Sequence, residues 1–172
     1  MDDDIEKPPL LHIVELLHSH GVEFVVIGGQ AAVLHGAPLP TFDVDLSYRR
    51  TKENLERLAA ALKTLEPTLR GAPPDLPFQL DAQSLALGSN FTFNTSAGPL
   101  DLLGWVEPLG SYDNFISRTT TFELAGLALQ VLSLDDLIAI KRHLARPKDR
   151  IMLVQLEAIQ RLRGTPDQPE AL

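Results

Sequence analysis

Phe24-Val25-Val26-Ile27-Gly28-Gly29-Gln30-Ala31-Ala32-Val33-Leu34-His35, continuing through Gly36-Ala37-Pro38-Leu39-Pro40 to Thr41-Phe42-Asp43-Val44-Asp45-Leu46-Ser47, is the stretch whose reading decides the fold. The four apolar residues Phe24–Ile27 read as a buried strand ended by the Gly28-Gly29 pair. A short helical pattern over Gln30–His35 follows, closed by Gly36 and Pro38. Thr41–Leu46 then alternates polar and apolar residues, the period of a strand with one buried face. The alternation predicts Phe42, Val44 and Leu46 on one face and Asp43 and Asp45 together on the other. Two carboxylates side by side repel unless a cation lies between them, and oxygen pairs of this kind suit Mg²⁺ used with substrate phosphates. Gly28 and Gly29 let backbone N–H groups approach an anion closely, at the start of a helix whose dipole favours negative charge. The plainer alternative is a tight strand-to-helix turn followed by aspartates that solvate an outer sheet face. The order and spacing of the two motifs favour a metal-dependent site for a nucleoside triphosphate.

Working outward, Leu10–His20 has Leu10, Ile13, Val14 and Leu17 at helical spacing, with Gly21 placed as a terminating glycine. His12, His18 and His20 lack the spacing of a zinc site. Thr51 is an N-cap for a helix to about Leu65, with Leu55, Leu58, Ala59 and Leu62 inward. Pro67, Gly71, Pro73, Pro74 and Pro77 predict a loop. Phe91–Thr95 and Leu100–Leu103, joined by Ser96–Pro99, predict a hairpin beside the Asp43/Asp45 strand. Asp101 lies among leucines on the second arm, where an unpaired carboxylate is costly, so it is the candidate third acid. Thr119–Leu124 and Leu127–Leu132 predict a second hairpin. Ser133 with Asp136 opens a helix through Leu137, Ile138 and Leu144, and a last helix follows over Lys148–Leu162.

The apolar strand, glycine pair, short helix and Asp-x-Asp strand resemble the polymerase-β-type nucleotidyltransferase superfamily. The segment Leu132–Lys141 with Arg146-Pro147-Lys148-Asp149 is similar to the abortive-infection (AbiE-type) toxin nucleotidyltransferases. The resemblance implies an α/β (α+β) fold, with a mixed, largely antiparallel sheet backed by helices, as a single domain over residues 1–172 with loose ends at 1–8 and 165–172. It implies an enzyme that moves a nucleoside monophosphate from an NTP to a hydroxyl, with Asp43, Asp45 and Asp101 as catalytic, Mg²⁺-binding acids. Gly28 and Gly29 would hold the triphosphate, with Lys141 and Lys148 as further nucleotide contacts. Position 29 departs from the many relatives that carry Ser there. The acceptor it implies is a tRNA 3′ end, a protein hydroxyl or a small molecule, and a toxin of this kind has a cognate antitoxin. A nucleotide-binding or protein-interaction module that keeps the fold without turnover is the alternative.

At 172 residues, with 44% hydrophobic and 22% charged residues, the chain has the makeup of one globular domain. No apolar run approaches the roughly 18 residues of a membrane span, and the acidic start, Met1-Asp2-Asp3-Asp4, is not the pattern of a secretory signal. With no cysteine and no such signal, a cytoplasmic protein is expected. A net charge of −8 argues against broad nucleic-acid binding. Five of the 15 basic residues nonetheless fall between Lys141 and Arg150. Helical spacing predicts an Arg142/Arg146 stripe for a polyanionic acceptor and a separate direction for Lys141. Neither a P-loop nor a dinucleotide-binding glycine pattern is present.

Overall fold

The computed structural model describes residues 6–164. Of the loose ends expected at 1–8 and 165–172, only residues 6–8 lie within it, and there Lys7 Nζ pairs with Glu15 at 2.6 Å. In chain order the elements are α1 (Pro9–Ser19), β1 (Phe24–Ile27), α2 (Gly28–Leu34), β2 (Val44–Tyr48), α3 (Lys52–Lys63), β3 (Thr68–Leu69) and α4 (Ala82–Leu87). They continue with β4 (Asn90–Thr95), β5 (Gly98–Leu103), α5 (Tyr112–Phe115), β6 (Thr120–Leu124), β7 (Leu127–Val131), α6 (Leu134–Leu144) and α7 (Asp149–Gly164). The seven strands form one sheet in the order β3-β4-β5-β2-β1-β7-β6. The sheet is mixed and mostly antiparallel, with β2–β5 and β1–β7 the parallel pairs.

The pleat separates two chemistries. Val44, Leu46, Leu100, Leu102 and Phe93 share one buried face, as their registers require. Asp45, Asp101 and Thr92 share the other. The strand expected at Thr41–Leu46 starts later, at Val44, and Phe42 is 76% exposed instead of facing the core. The ladders on both sides stop short of it: β1 turns into α2 at Gly28, so its four residues pair only with Asp45–Tyr48, and the β5 pairing begins at Val44. The Pro-rich loop also holds a two-residue edge strand, β3, and α4 follows it, with the Asp81 side chain accepting from Ser84 N at 2.7 Å.

Local capping follows the sequence. Thr51 Oγ1 accepts from Asn54 N, and Ser133 Oγ accepts from Asp136 N. The Ser133 box is only half closed, because the Asp136 carboxylate takes two hydrogen bonds from Arg118. His35, just after α2, is buried between distant elements: Nε2 lies 2.9 Å from Leu132 O, and Nδ1 lies 3.0 Å from Arg163 Nη1. The carbonyl requires N–H on Nε2 and the guanidinium requires a lone pair on Nδ1, so these partners assign a neutral ring. Burial lowers its pKa, and the Arg163 charge acts the same way.

Asn54 is the interior polar tie. Buried in α3, it accepts from Glu23 N at 2.7 Å and donates to Glu23 O at 3.0 Å and Arg49 O at 2.7 Å, joining the ends of β1 and β2. Asn54→Leu keeps the branched shape but leaves these backbone groups unpaired in the interior. It is expected to cost about 3 kcal/mol, read as a Tm lowered by about 6–12 °C. A change under about 2 °C would show that the backbone groups find other partners.

Candidate active site

On the polar face, Asp45 of β2 pairs in register with Asp101 of β5, and Thr92 of β4 stands opposite Asp101. Arg70 N, just past β3, donates to Thr92 O at 2.9 Å. The row Arg70–Thr92–Asp101–Asp45 therefore runs across four adjacent strands. Because the two residues are register partners, their carboxyls stand at one level on the same face and approach closely enough to share a hydrogen bond. Burial raises the Asp45 pKa to about 7, followed by the Asp101 charge and shared hydrogen bond and then the Asp43 charge, while Lys141 draws it back.

Gly28 is what admits the Asp45 side chain. Its φ is +65°, and a Cβ there would overlap Asp45 Oδ2 and come within 2.9 Å of Cγ. Gly29 has a different reason: a Cβ there would lie 2.8 Å from Thr41 Oγ1 and 3.2 Å from Thr41 Cβ. Thr41 thus fills the space that a serine at 29 would need. The pair forms the first residues of α2, two positions earlier than the helix start expected at Gln30.

The opposite wall comes from α6. A cleft of about 360 Å³ is lined by Ile27, Gly28, Asp45, Asp101, Leu103 and Val106 on one side and by Leu137, Ile140, Lys141, Leu144 and Arg146 on the other. A larger hollow of about 450 Å³, beside Arg50, Leu55 and Ala86, has Glu56 as its one carboxylate and shares no residue with the cleft. The acid pair, not volume, selects the smaller one. Lys141 Nζ donates to Asp149 Oδ1 at 2.8 Å, and Arg146 donates to both Asp149 oxygens at 2.6 and 3.2 Å. Asp149 is buried, and hydrogen bonding from Arg146 first, then Lys141, holds it well below the usual carboxylate range.

Of the expected site residues, Gly28, Asp45, Asp101 and Lys141 line one cleft. Asp43 precedes β2 on the exposed side and reaches Asp45 through its charge alone. Among the described residues, no three acidic or histidine side chains are already gathered around one point. Lys148 is exposed and outside the cleft, because the turn after Pro147 faces Asp149 inward instead. The separation of Lys141 from an Arg142/Arg146 stripe is also corrected: Lys141 and Arg146 converge on Asp149, while Arg142 pairs with Glu157 of α7 at 2.9 Å. Arg49 is held by Glu23 and Asp113 and lies over the Tyr112 ring, and Arg50 donates to Ala86 O. The Tyr48 ring is buried in the core and Trp105 donates to Glu107, so neither is among the residues lining the cleft.

The sequence reading gives Arg146 as an acceptor contact and Asp149 only within the resembling segment; the i,i+3 spacing of opposite charges at a helix start is the signal for their pairing. Arg70 is not singled out there, and no local signal marks it. Its Nη1 lies 3.0 Å from Asp101 Oδ1, but off the hydrogen-bonding direction, and this buried oxygen has no hydrogen-bond partner among the described residues.

The raised pKa sets a pH dependence. Between the ordinary Asp range and about pH 7, the folded chain holds a proton that the unfolded chain does not. The pair is therefore tolerated at low pH and destabilises the metal-free fold as pH rises through 7. Asp45→Asn removes that repulsion. It should raise Tm by about 3 °C or more at pH 8 and change it little at about pH 4, below which the unfolded chain is protonated too. Equal effects at both pH values in thermal melts would show that the carboxyls do not share a proton.

No family model matches the sequence, and no curated protein matches it. Solved structures do match. The lincosamide antibiotic adenylyltransferase LnuA, with lincomycin bound, superposes with a TM-score of 0.60 at 12% identity, over 91% of this chain and 99% of that one. The solution structure of the antibiotic-resistance factor ANT(2″)-Ia gives 0.54 at 15% identity, over 90% and 87%. Its crystal structure with adenylyl-2″-tobramycin gives 0.52 at 16%, over 90% and 92%. At these identities the likeness is one of backbone architecture, and the fold of this chain is that of the nucleotidyltransferases.

Proposed function

We propose that this chain transfers a nucleoside monophosphate from an NTP to a hydroxyl group of a small molecule, using Mg²⁺ held by Asp45 and Asp101 with Asp43 at its edge. The observation that carries this is the in-register Asp45–Asp101 pair. Two carboxyls kept close enough to share a proton, with one buried oxygen lacking a hydrogen bond, are a donor set that a divalent cation would satisfy. The bound ion would supply charge neutralisation on the phosphates and a template for the attacking hydroxyl.

The chain's own residues divide the remaining work. Gly28, whose missing side chain admits Asp45, would offer its backbone to a triphosphate at the mouth of the acid pair, with Gly29 behind it against Thr41. Lys141, oriented by Asp149, places an ammonium on the same cleft to offset charge on the transferred group. Ile27, Val106, Leu137, Ile140 and Leu144 give the cleft apolar walls that exclude water and suit a base or a compact acceptor. Asp101 would take the acceptor's proton as the acceptor oxygen bonds to the α-phosphorus and pyrophosphate departs.

A small acceptor is favoured over RNA because the basic run is partly offset. Arg142 pairs with Glu157, and Lys141 and Arg146 share Asp149, so three of the run's five cations are engaged and Lys148 and Arg150 are what it offers a polyanion. LnuA and ANT(2″)-Ia, solved with lincomycin and with adenylyl-2″-tobramycin, support the same choice. The competing possibility, a nucleotide-binding module without turnover, is favoured by the exposed position of Asp43, outside any assembled acid cluster.

The test is incubation with each α-labelled NTP and Mg²⁺ against lincomycin, tobramycin, a wider panel of small hydroxyl compounds, and bulk tRNA. Label is expected on a small molecule, with Asp45→Asn and Asp101→Asn each lowering the rate by about a thousandfold. Label on tRNA would overturn the acceptor class. Nucleotide binding without transfer to any acceptor or to extract would establish the non-catalytic module.

A further inference from the structure

Arg70 sits at one end of the cross-strand row and is bound by groups that do not need the acids. Its Nη2 donates to Phe93 O at 2.8 Å and its Nε to Asn94 Oδ1 at 3.4 Å, while its backbone N holds Thr92 O. From this anchorage Nη1 reaches within 3.0 Å of Asp101 Oδ1 without the alignment of a hydrogen bond. The contact is thus electrostatic proximity imposed by Arg70's other bonds. On the far side of the pair, Lys141 is already committed to Asp149. Among the described residues Arg70 is consequently the cation that faces Asp101, and it directly follows the two-residue edge strand β3, between Pro67 and Pro73.

We propose that Arg70 is a built-in counter-ion of the acid pair, occupying the place beside Asp101 that a divalent cation takes, so that free metal is resisted and metal carried by a polyphosphate is accepted. This rests on the metal-dependent reading above. The physical basis is charge. A guanidinium held by carbonyls cannot leave freely, so a lone M²⁺ at Asp101 would meet a fixed positive neighbour. A metal–triphosphate is net negative, and the same guanidinium then attracts it. Arg70 would make occupation of the acids conditional on nucleotide, while lessening the repulsion between Asp45 and Asp101 when neither is bound.

The experiment is titration of Mn²⁺ alone, followed by electron paramagnetic resonance, and of Mn²⁺ with α,β-methylene-ATP. The proteins are wild type, Arg70→Gln, Arg70→Met (which keeps an unbranched apolar stem) and Arg70→Lys. The neutral variants are expected to bind Mn²⁺ alone about tenfold more tightly and Mn·nucleotide about tenfold more weakly, an inversion that loss of packing would not produce. Arg70→Lys should stay near wild type for Mn²⁺ alone. If the neutral variants bind Mn²⁺ alone as wild type does, or more weakly, Arg70 is only a strap on the edge strand and the proposal fails. Asp45→Asn separates this from failure of the functional reading. If that variant binds Mn²⁺ as well as wild type, or if no protein binds it, the acids are not the metal site and both ideas fall.

Discussion

Two carboxyl groups at the same level of neighbouring parallel strands work against folding, and much of the molecule can be understood as what keeps them there. The pleat alone does not require acids at Asp45 and Asp101, since their neighbours Val44, Leu46, Leu100 and Leu102 build the hydrophobic face whichever residues point the other way. What holds the pair is that burial of those neighbours fixes the register, and a slip of one residue in either strand would put its own aspartate into the core. Specificity of pairing and strain at the site therefore come from the same alternation.

The charges nearby form a graded arrangement. Lys141 and Arg146 share the buried Asp149 where α6 gives way to α7, and Ala145 between them takes a left-handed conformation with φ of +48°. That sharp end brings two cations from successive turns onto one carboxylate. A continuous helix would have sent them to different directions. Asp149 acts as a positioning residue whose removal would release a lysine next to an acid pair.

The local chemistry was legible in the sequence and the long-range geometry was not. Thr51 and Ser133 cap helices where their side chains and the following apolar periods placed them, and both hairpins have the expected arms. Asp101 was singled out by the cost of a carboxylate among leucines, and the parallel pairing with β2 then gave it Asp45 as its neighbour. Alternation misled at Phe42, because a strand ends where its partner ends and β1 has only four residues. β3 and α4 were hidden because proline density signals a loop without reporting that its ends can still pair or cap. Arg70 was invisible because its partners, Phe93 and Asp101, lie more than twenty residues away and no spacing rule spans that distance. The inward turn of Asp149 past Lys148 likewise depends on the α6–α7 corner, which propensity does not describe.

The neutral imidazole of His35 gives this architecture an acid-sensitive latch. It joins the end of α2 to Leu132 and to Arg163 of α7, two otherwise separate parts of the chain. A proton added at Nδ1 would set two cations face to face and remove the acceptor that Arg163 needs. The stabilisation is present while the ring stays neutral and is lost as pH falls through the ordinary histidine range, because the folded chain then binds fewer protons than the unfolded one. The seven-residue helix released at that end begins with Gly28 and Gly29 at its other end. Mild acid thus weakens the tie behind the glycine turn, at a distance from the carboxylates and after Asp45, whose pKa is raised to about 7, has already taken up its proton.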